Sequence, residues 1–151
     1  MVFCYLVVRL VRNRKPFMND LSRIKLLINL AKVDGQVADK EKNHLINIGR
    51  ANGIYPDEIY PLFTQHHPVI VPEDLTDDQK FDLIFSLIQL MKLDERMYRE
   101  EIVFCGQVAA KLGYNKHVMF ELLSQVRSGG MEANEMESLK ILTQKFLNHR
   151  D

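Results

Sequence analysis

Four carboxylates are spaced in a way that could bind a hard metal ion. Asp34 is followed seven residues later by Glu41, and Asp94 is followed at the same interval by Glu101. If each aspartate ends one helix and each glutamate opens the next, a tight turn brings the two carboxylates of a pair towards each other. Grouped oxygen ligands suit Ca²⁺ or Mg²⁺. The two pairs therefore predict a divalent-cation site formed by Asp34, Glu41, Asp94 and Glu101.

The same four residues also have an ordinary structural explanation. A glutamate in the first turn of a helix is favoured by the helix dipole, and Asp34-Gly35 is common turn chemistry. The sequence lacks the alternating oxygen ligands and terminal glutamate of a calcium loop, which excludes a standard EF-hand. The sequence is therefore compatible with either a structural role or ligand binding for these four residues.

Two histidine patterns could offer transition-metal chemistry. Glu41 and His44 have the Glu-x-x-His spacing that di-iron bundles use. The corresponding position sixty residues later is Phe104, so the second half of such a site is missing. His66 and His67 are adjacent without a third ligand, which is typical of a solvated loop. Neither pattern predicts a metal centre.

The sequence offers no machinery for catalysis. It contains no glycine-rich phosphate loop, no Gly-x-Ser-x-Gly elbow and no set of serine, cysteine and histidine with a meaningful spacing. We therefore expect that the protein is not an enzyme.

Hydrophobic residues at intervals of three and four predict an all-α fold of about seven helices. Asp39 caps the second helix, Gly53 ends it in the left-handed conformation, and Pro56 begins the third. The residues from Thr76 to Gln79 form a capping box that opens the longest helix. The predicted helices cover about residues 20–34, 39–53, 56–63, 76–91, 98–112, 115–126 and 131–148, with an extended connector at 66–74. Tyr55, Tyr60 and Tyr98 are expected near helix ends as buried rings with solvated hydroxyls.

The chain contains an internal repeat with an offset of 60 residues. Its most informative matches are acidic residues and a glycine: Asp34 with Asp94, Glu41 with Glu101, and Gly53 with Gly113. Neither helical unit alone is large enough for a comfortable core. We therefore expect the two units to pack as one bundle, about an approximate two-fold axis. The expected boundaries are an N-terminal extension at 1–18 and a helical domain at 19–151, with repeat units at about 20–66 and 76–127 and a C-terminal helix at 131–148.

The charge and cysteine content of the chain indicate which partners and which cellular compartment to expect. The chain has 151 residues, with 20 Lys plus Arg and 20 Asp plus Glu, so its net charge is zero. A protein that binds nucleic acid by neutralising phosphates would be basic or carry a basic face, so no nucleic-acid partner is expected. The two cysteines lie among apolar residues, as buried inert thiols do. The lack of a cysteine framework indicates the reducing cytoplasm.

The N-terminal segment is apolar from residue 2 to residue 11 except for Arg9. This run is about half of the roughly 20 residues that a membrane-spanning helix needs, so we expect no transmembrane segment. The positive charges follow the apolar stretch, whereas an export signal places them before it. Met18 stands directly before the first helix, so a translation start there would make residues 1–17 an artefact of the assigned start.

The segment from Leu30 to Glu41 resembles the TerB-like family associated with tellurite resistance, and the segment from Leu90 to Glu101 is a more distant copy of it. In that family an apolar helix runs into Asp-Gly, a hydrophobic residue follows two positions later, and a glutamate opens the next helix. Here these positions are Asp34-Gly35, Val37 and Glu41. The resemblance covers about residues 19–148, although Glu95 stands where the pattern has glycine.

This resemblance implies a compact, duplicated fold of about seven helices. It also implies an acidic cluster that binds metal ions, carried here by Asp34, Glu41, Asp94 and Glu101. Family members act in stress responses or at membranes, which leaves peripheral membrane association open, and the chain has no room for the J-domain that some of them carry. The leading hypothesis is a non-catalytic module that binds a divalent cation. The alternative is an adaptor that binds an unknown protein partner without a metal.

Overall fold

The computed structural model describes residues 20–33, 35–93 and 99–148, and these form an all-α fold, as predicted. The α-helices are α1 Asp20–Ala31, α2 Asp39–Ala51, α3 Pro56–Ile59, α4 Asp77–Met91, α5 Arg99–Lys111, α6 Val118–Gln125 and α7 Ala133–Gln144. A 3-10 turn, Tyr60–Phe63, continues α3. Within the described ranges no strand forms, and an isolated antiparallel bridge joins Tyr114 to Leu147.

Several helix ends follow the local signals of the sequence, but the cap predicted at Asp39 is wrong, because Ala38 occupies the cap position and Asp39 is the first residue of α2. The Thr76 hydroxyl accepts a hydrogen bond from the Gln79 N–H at 3.2 Å, and the Gln79 side chain accepts one from the Thr76 N–H at 2.9 Å. This confirms the predicted capping box at the start of α4. Gly53 and Gly113, which follow α2 and α5, have φ angles of +77° and +94°. Both therefore adopt the left-handed conformation that glycine tolerates best.

The third helix changes geometry at its second proline. Pro56 occupies the first turn of α3, where its missing N–H is harmless. Pro61 comes five residues later and cannot donate to the carbonyl of Asp57, so the α-helical ladder cannot continue. The chain tightens into the 3-10 turn Tyr60–Phe63.

The last two helices are shorter than predicted. The segment that precedes α6 forms main-chain hydrogen bonds with the segment that follows α7, so neither segment continues its helix. The Asn115 side chain accepts a hydrogen bond from the His117 N–H at 3.0 Å, which delays the start of α6. The Asn115 N–H donates to the Phe146 carbonyl at 2.6 Å, and the Asn148 N–H donates to the Gly113 carbonyl at 2.8 Å. These bonds replace the final helical turn expected for α7.

The core is built around α1 and α4. Every residue of α4 from Leu83 to Met91 is buried, and α4 packs against α1, α5, α6 and α7. Helix α1 packs against α2, α4 and α5. The Arg23 guanidinium on α1 donates to the Ser86 hydroxyl on α4, so a buried polar contact also joins the two central helices.

Residues sixty positions apart occupy similar places in the fold. Helices α2 and α5 have the same length at that offset. The ammonium group of Lys32, just after α1, donates to the Gln65 carbonyl at 2.9 Å. The ammonium group of Lys92, just after α4, donates to the carbonyls of Val126, at 2.6 Å, and Leu123. Each lysine thus ties the end of one helix to the end of the third helix of its unit. The duplication itself stays a prediction from the sequence.

Candidate functional site

Two of the four candidate ligands lie at equivalent places in the described structure. Glu41 is the third residue of α2, and Glu101 is the third residue of α5. Both therefore stand in the first turn of a helix, as the sequence predicts. Helix α2 packs against α1, and α5 packs against α4. Asp34 and Asp94 lie outside the described residues, so their approach to the glutamates stays a prediction.

Glu41 is a buried acid, with 5% of its surface exposed. Its Oε2 accepts a hydrogen bond from the main-chain N–H of Ala38, at 3.2 Å. This bond is one half of a capping box, and Ala38 has no side-chain oxygen to form the other half. The arrangement also places a negative charge at the positive end of the helix dipole. The carboxylate therefore turns back towards the loop that precedes α2.

Glu101 places a second negative charge in the interior, with 3% of its surface exposed. Cys105 follows one helical turn later and is fully buried. Burial raises the pKa of the Cys105 thiol to about 12, and the charge of Glu101 adds to this rise. The thiol stays protonated at neutral pH and is a poor nucleophile. This confirms the expectation of a buried, inert thiol at Cys105, whereas Cys4 lies outside the described residues.

The loop before α2 is shaped by one glycine. Gly35 has a φ angle of +99°, a conformation that side-chain-bearing residues rarely adopt. Its N–H donates to the Lys32 carbonyl at 2.8 Å, which closes the turn after α1. Gly35, Gln36 and Ala38 are exposed, so small ions in solvent can reach this loop. The corresponding residue of the second loop, Glu95, lies outside the described residues.

His44 lies one turn after Glu41 on α2 and is half-buried. Burial lowers the pKa of its imidazole to about 4, so the ring is neutral at pH 7. The residue sixty positions later, Phe104, is buried with 8% of its surface exposed. The second unit therefore fills the corresponding position with a buried apolar ring.

The expectation of a solvated loop at His66 and His67 is wrong for one of the two residues. His66 is exposed, but only 7% of His67 is exposed. The Nε2 atom of His67 lies 2.8 Å from the Leu62 carbonyl, to which it can only donate. The ring therefore ties the connector to the 3-10 turn. This burial depends on how the connector folds back over the bundle, which local sequence does not reveal.

No three histidine, cysteine or carboxylate side chains within residues 20–33, 35–93 and 99–148 are grouped closely enough to hold a metal ion. The predicted ligand set is completed by Asp34 and Asp94, which are outside these ranges. Each proposed site is thus described through one buried glutamate, Glu41 or Glu101. In the first unit this glutamate follows a loop that is exposed to solvent.

Two tyrosines contradict the prediction of buried rings. Tyr55 is 73% exposed and Tyr60 is 50% exposed, while Tyr98 lies outside the described residues. The segment formed by α3 and the 3-10 turn is short, and its buried side chains are Ile59, Leu62 and Phe63. The rest of its circumference faces solvent. One signal in the sequence could have marked this surface as unusual, because residues 51–79 contain no lysine or arginine.

Comparisons with protein-family models, curated proteins and solved structures found no match. Across the part of the chain that is described, no helix has both the length and the apolar character needed to cross a bilayer. The TerB-like resemblance therefore depends on the loop segments at 30–41 and 90–101 alone.

Proposed function

We propose that this chain is a non-catalytic binding module that takes up a divalent cation, Ca²⁺ or Mg²⁺, at its acidic loops. The ligands are Asp34 with Glu41 in the first unit and Asp94 with Glu101 in the second. The resemblance of residues 30–41 to the TerB-like family supports this assignment. A stress-response role and a cytoplasmic location belong to the same proposal.

The observation that carries the proposal is the burial of two carboxylates at equivalent positions. Glu41 and Glu101 are 5% and 3% exposed, and each is the third residue of its helix. Burying an ionised carboxylate is unfavourable unless charges or hydrogen-bond donors compensate for the lost water. The Ala38 N–H provides part of that compensation for Glu41. A divalent cation in the loop would add to it, because one carboxylate can accept a hydrogen bond through one oxygen and bind a cation through the other.

The lysines nearest the two aspartates in sequence are directed elsewhere. The Lys32 ammonium donates to the Gln65 carbonyl, and the Lys92 ammonium donates to the carbonyls of Leu123 and Val126. These ammonium groups hold the third helix of each unit in place. Each of these two ammonium groups is thus committed to main-chain carbonyls at the third helix of its unit.

Thermal unfolding of chelator-treated protein, with and without Ca²⁺, Mg²⁺, Mn²⁺ and Zn²⁺, tests the proposal. A site filled at about one hundred times its dissociation constant should stabilise the protein by about 2.7 kcal/mol. For a chain of this size the midpoint should rise by roughly 5 to 10 °C. The rise should shrink or disappear in an Asp34→Asn, Glu41→Gln variant, and a parallel Asp94→Asn, Glu101→Gln variant tests the second loop.

The controls separate cation binding from helix capping. Glutamine at position 41 can still accept the Ala38 N–H through its amide oxygen, so the capping bond survives while the charge is lost. Asp39→Asn removes a charge from an exposed residue of the same helix and should leave the cation effect intact. If no cation shifts the midpoint, the metal proposal is wrong.

The second candidate function is a protein-interaction adaptor that needs no metal. The observation in its favour is the exposure of large aromatic side chains, with Tyr55 at 73% and Phe120 at 71%. Exposed aromatic rings are enriched where proteins contact each other. This function predicts that chelators change neither stability nor partner binding, whereas the cation proposal predicts that they lower stability.

A further inference from the structure

Two exposed aromatic rings occupy corresponding positions in the two units. Tyr60, at the start of the 3-10 turn after α3, is 50% exposed. Phe120, sixty residues later on α6, is 71% exposed. Single exposed apolar residues are common on protein surfaces and need no explanation on their own. The charges around these two rings make the pair unusual.

The surroundings of Tyr60 are negatively charged. Asp57 and Glu58 precede it within one helical turn, and both are exposed. We call Asp57, Glu58 and Tyr60 the acidic aromatic surface. The wider stretch at 51–79 contains no lysine or arginine and six exposed carboxylates: Asp57, Glu58, Glu73, Asp74, Asp77 and Asp78. Cations from other helices approach parts of this stretch, because Lys140 pairs with Asp78 at 3.2 Å and the Lys42 ammonium lies 5.3 Å from the centroid of the Phe63 ring. Asp57 and Glu58, in contrast, stand within one turn of Tyr60 itself.

The surroundings of Phe120 carry exposed lysines instead. Lys116 and His117 are exposed, and the His117 ring stacks on the Phe120 ring with centroids 6.1 Å apart and planes 24° apart. We call Lys116, His117 and Phe120 the basic aromatic surface. Lys111 is also exposed nearby in sequence, at the end of α5. Glu121 is the one carboxylate in residues 111–121, and it accepts a hydrogen bond from the Gln125 amide at 2.8 Å.

Two positions of each surface correspond at the 60-residue offset, Tyr60 with Phe120 and Asp57 with His117. Asp57 and Tyr60 are three positions apart, and so are their counterparts His117 and Phe120. Each surface therefore presents one aromatic ring three residues after one polar group, with Tyr60 at the start of a 3-10 turn and Phe120 in an α-helix. Aromatic rings in contact add attraction beyond their area burial, and opposite charges across an interface favour encounter and fix orientation.

We propose that the acidic aromatic surface of one copy of this chain binds the basic aromatic surface of a second copy. The Tyr60 ring packs on the Phe120 ring of the other copy, and Asp57 and Glu58 face its Lys116 and His117. The contact is heterologous, because it joins two different surfaces. The pair then keeps one unused surface of each kind, the basic one on the first copy and the acidic one on the second, so the association can continue head to tail. The proposal goes beyond cation binding and does not depend on it.

A contact of this size is small and should be weak. Sedimentation velocity or light scattering of the full chain therefore needs concentrations from about 10 µM to about 1 mM, the range of weak dissociation constants. A chelator is present throughout, so that the outcome is independent of any cation. The weight-average mass should rise with concentration, and the rise should be smaller at high salt because salt screens exposed charges.

Two substitutions of exposed residues give the decisive test. Tyr60→Ser removes the ring of the acidic aromatic surface, and Phe120→Ser removes the ring of the basic aromatic surface. Each variant alone should remain monomeric over the full concentration range. A mixture of the two should form pairs and no larger species, because the Phe120→Ser chain still offers Tyr60 and the Tyr60→Ser chain still offers Phe120.

Ile141→Ser is the matched control, since Ile141 is 55% exposed on α7 and belongs to neither surface. It should associate like the unmodified chain. Circular dichroism of each variant checks that the helices are intact. The proposal is overturned if the unmodified chain is monomeric at every concentration, if either single variant associates normally, or if the mixture stays monomeric. A basic peptide from another protein would then be the better candidate for the acidic aromatic surface.

Discussion

Replacing His44 with phenylalanine should reduce the loss of folding stability that this histidine causes at acidic pH. Burial lowers the pKa of His44 from 6.5 in an exposed chain to about 4. Between these two values the unfolded chain binds a proton that the folded chain rejects, so stability falls as the pH drops from 6.5 towards 4. Above pH 6.5 both states are neutral at this residue and its contribution to the pH dependence disappears.

The size of the effect follows from the two pKa values. At pH 5 the imidazole of the unfolded chain is almost fully protonated, and that of the folded chain is largely neutral. Linkage then lowers the free energy of unfolding by about 2 kcal/mol relative to pH 7. With an m value on the order of 2 kcal/mol per molar urea, the unfolding midpoint should fall by about 1 M from this residue alone.

Phenylalanine is a suitable replacement because Phe104 already occupies the corresponding position of the second unit, where it is buried. Urea unfolding of the unmodified chain and the His44→Phe variant, each at pH 7 and at pH 5, measures the difference. The variant should lose about 2 kcal/mol less than the unmodified chain between the two pH values. His66→Gln is the control for losing an imidazole at an exposed position. An equal pH dependence in the unmodified chain and His44→Phe would refute the reasoning, whatever the variant's stability at pH 7.

Four further predictions concern packing, helix propensity, helix ends and the thiol. Gly49→Ala should destabilise the protein by about 1 to 3 kcal/mol because its methyl group would collide with the Ile59 side chain. Gly106→Ala should stabilise it by about 0.5 to 1 kcal/mol because nothing lies within 4 Å of the new methyl group in α5; urea unfolding checks both. Lys92→Met should cost about 1 to 2 kcal/mol because the carbonyls of Leu123 and Val126 lose their donor. Lys32→Met should cost less, since it removes a single exposed bond, and equal losses in the same assay would contradict this. Cys105 should resist iodoacetamide at pH 8 until urea unfolds the chain, as read by peptide mass spectrometry, because burial keeps the thiol protonated.

Local sequence was sufficient to predict most of the helices. Apolar residues at intervals of three and four marked the buried faces of α1 and α4, and Thr76 with Gln79 marked the start of α4. Gly53 and Gly113 marked two helix ends because their backbone conformation is set by steric rules that act within one residue. Signals of this kind need no knowledge of the rest of the chain.

The errors arose where distant parts of the chain decide the outcome. Helix α7 ends before Phe146 because that residue's carbonyl accepts the Asn115 N–H, a bond between segments thirty residues apart. His67 is buried, and Tyr60 is exposed, because of the way in which the connector and the 3-10 turn lie on the bundle. No propensity of a single residue contains this information.

The candidate cation site was predicted only in part. The sequence placed Glu41 and Glu101 in the first turn of a helix, and the structure confirms that position. It did not predict that both carboxylates would be buried. The geometry of each aspartate relative to its glutamate lies outside the described residues and stays a prediction.

The burial of α4 from Leu83 to Met91 has a consequence for chains that are cut. The connector between the 3-10 turn and α4 is largely exposed and free of helix, so it is a natural place for a protease to cleave. Cleavage there would separate α1–α3 from α4–α7 covalently, yet α4 would still need α1 to cover its apolar surface. The two fragments should therefore stay together after cleavage. Expressed as separate chains, they should reassemble the bundle by complementation.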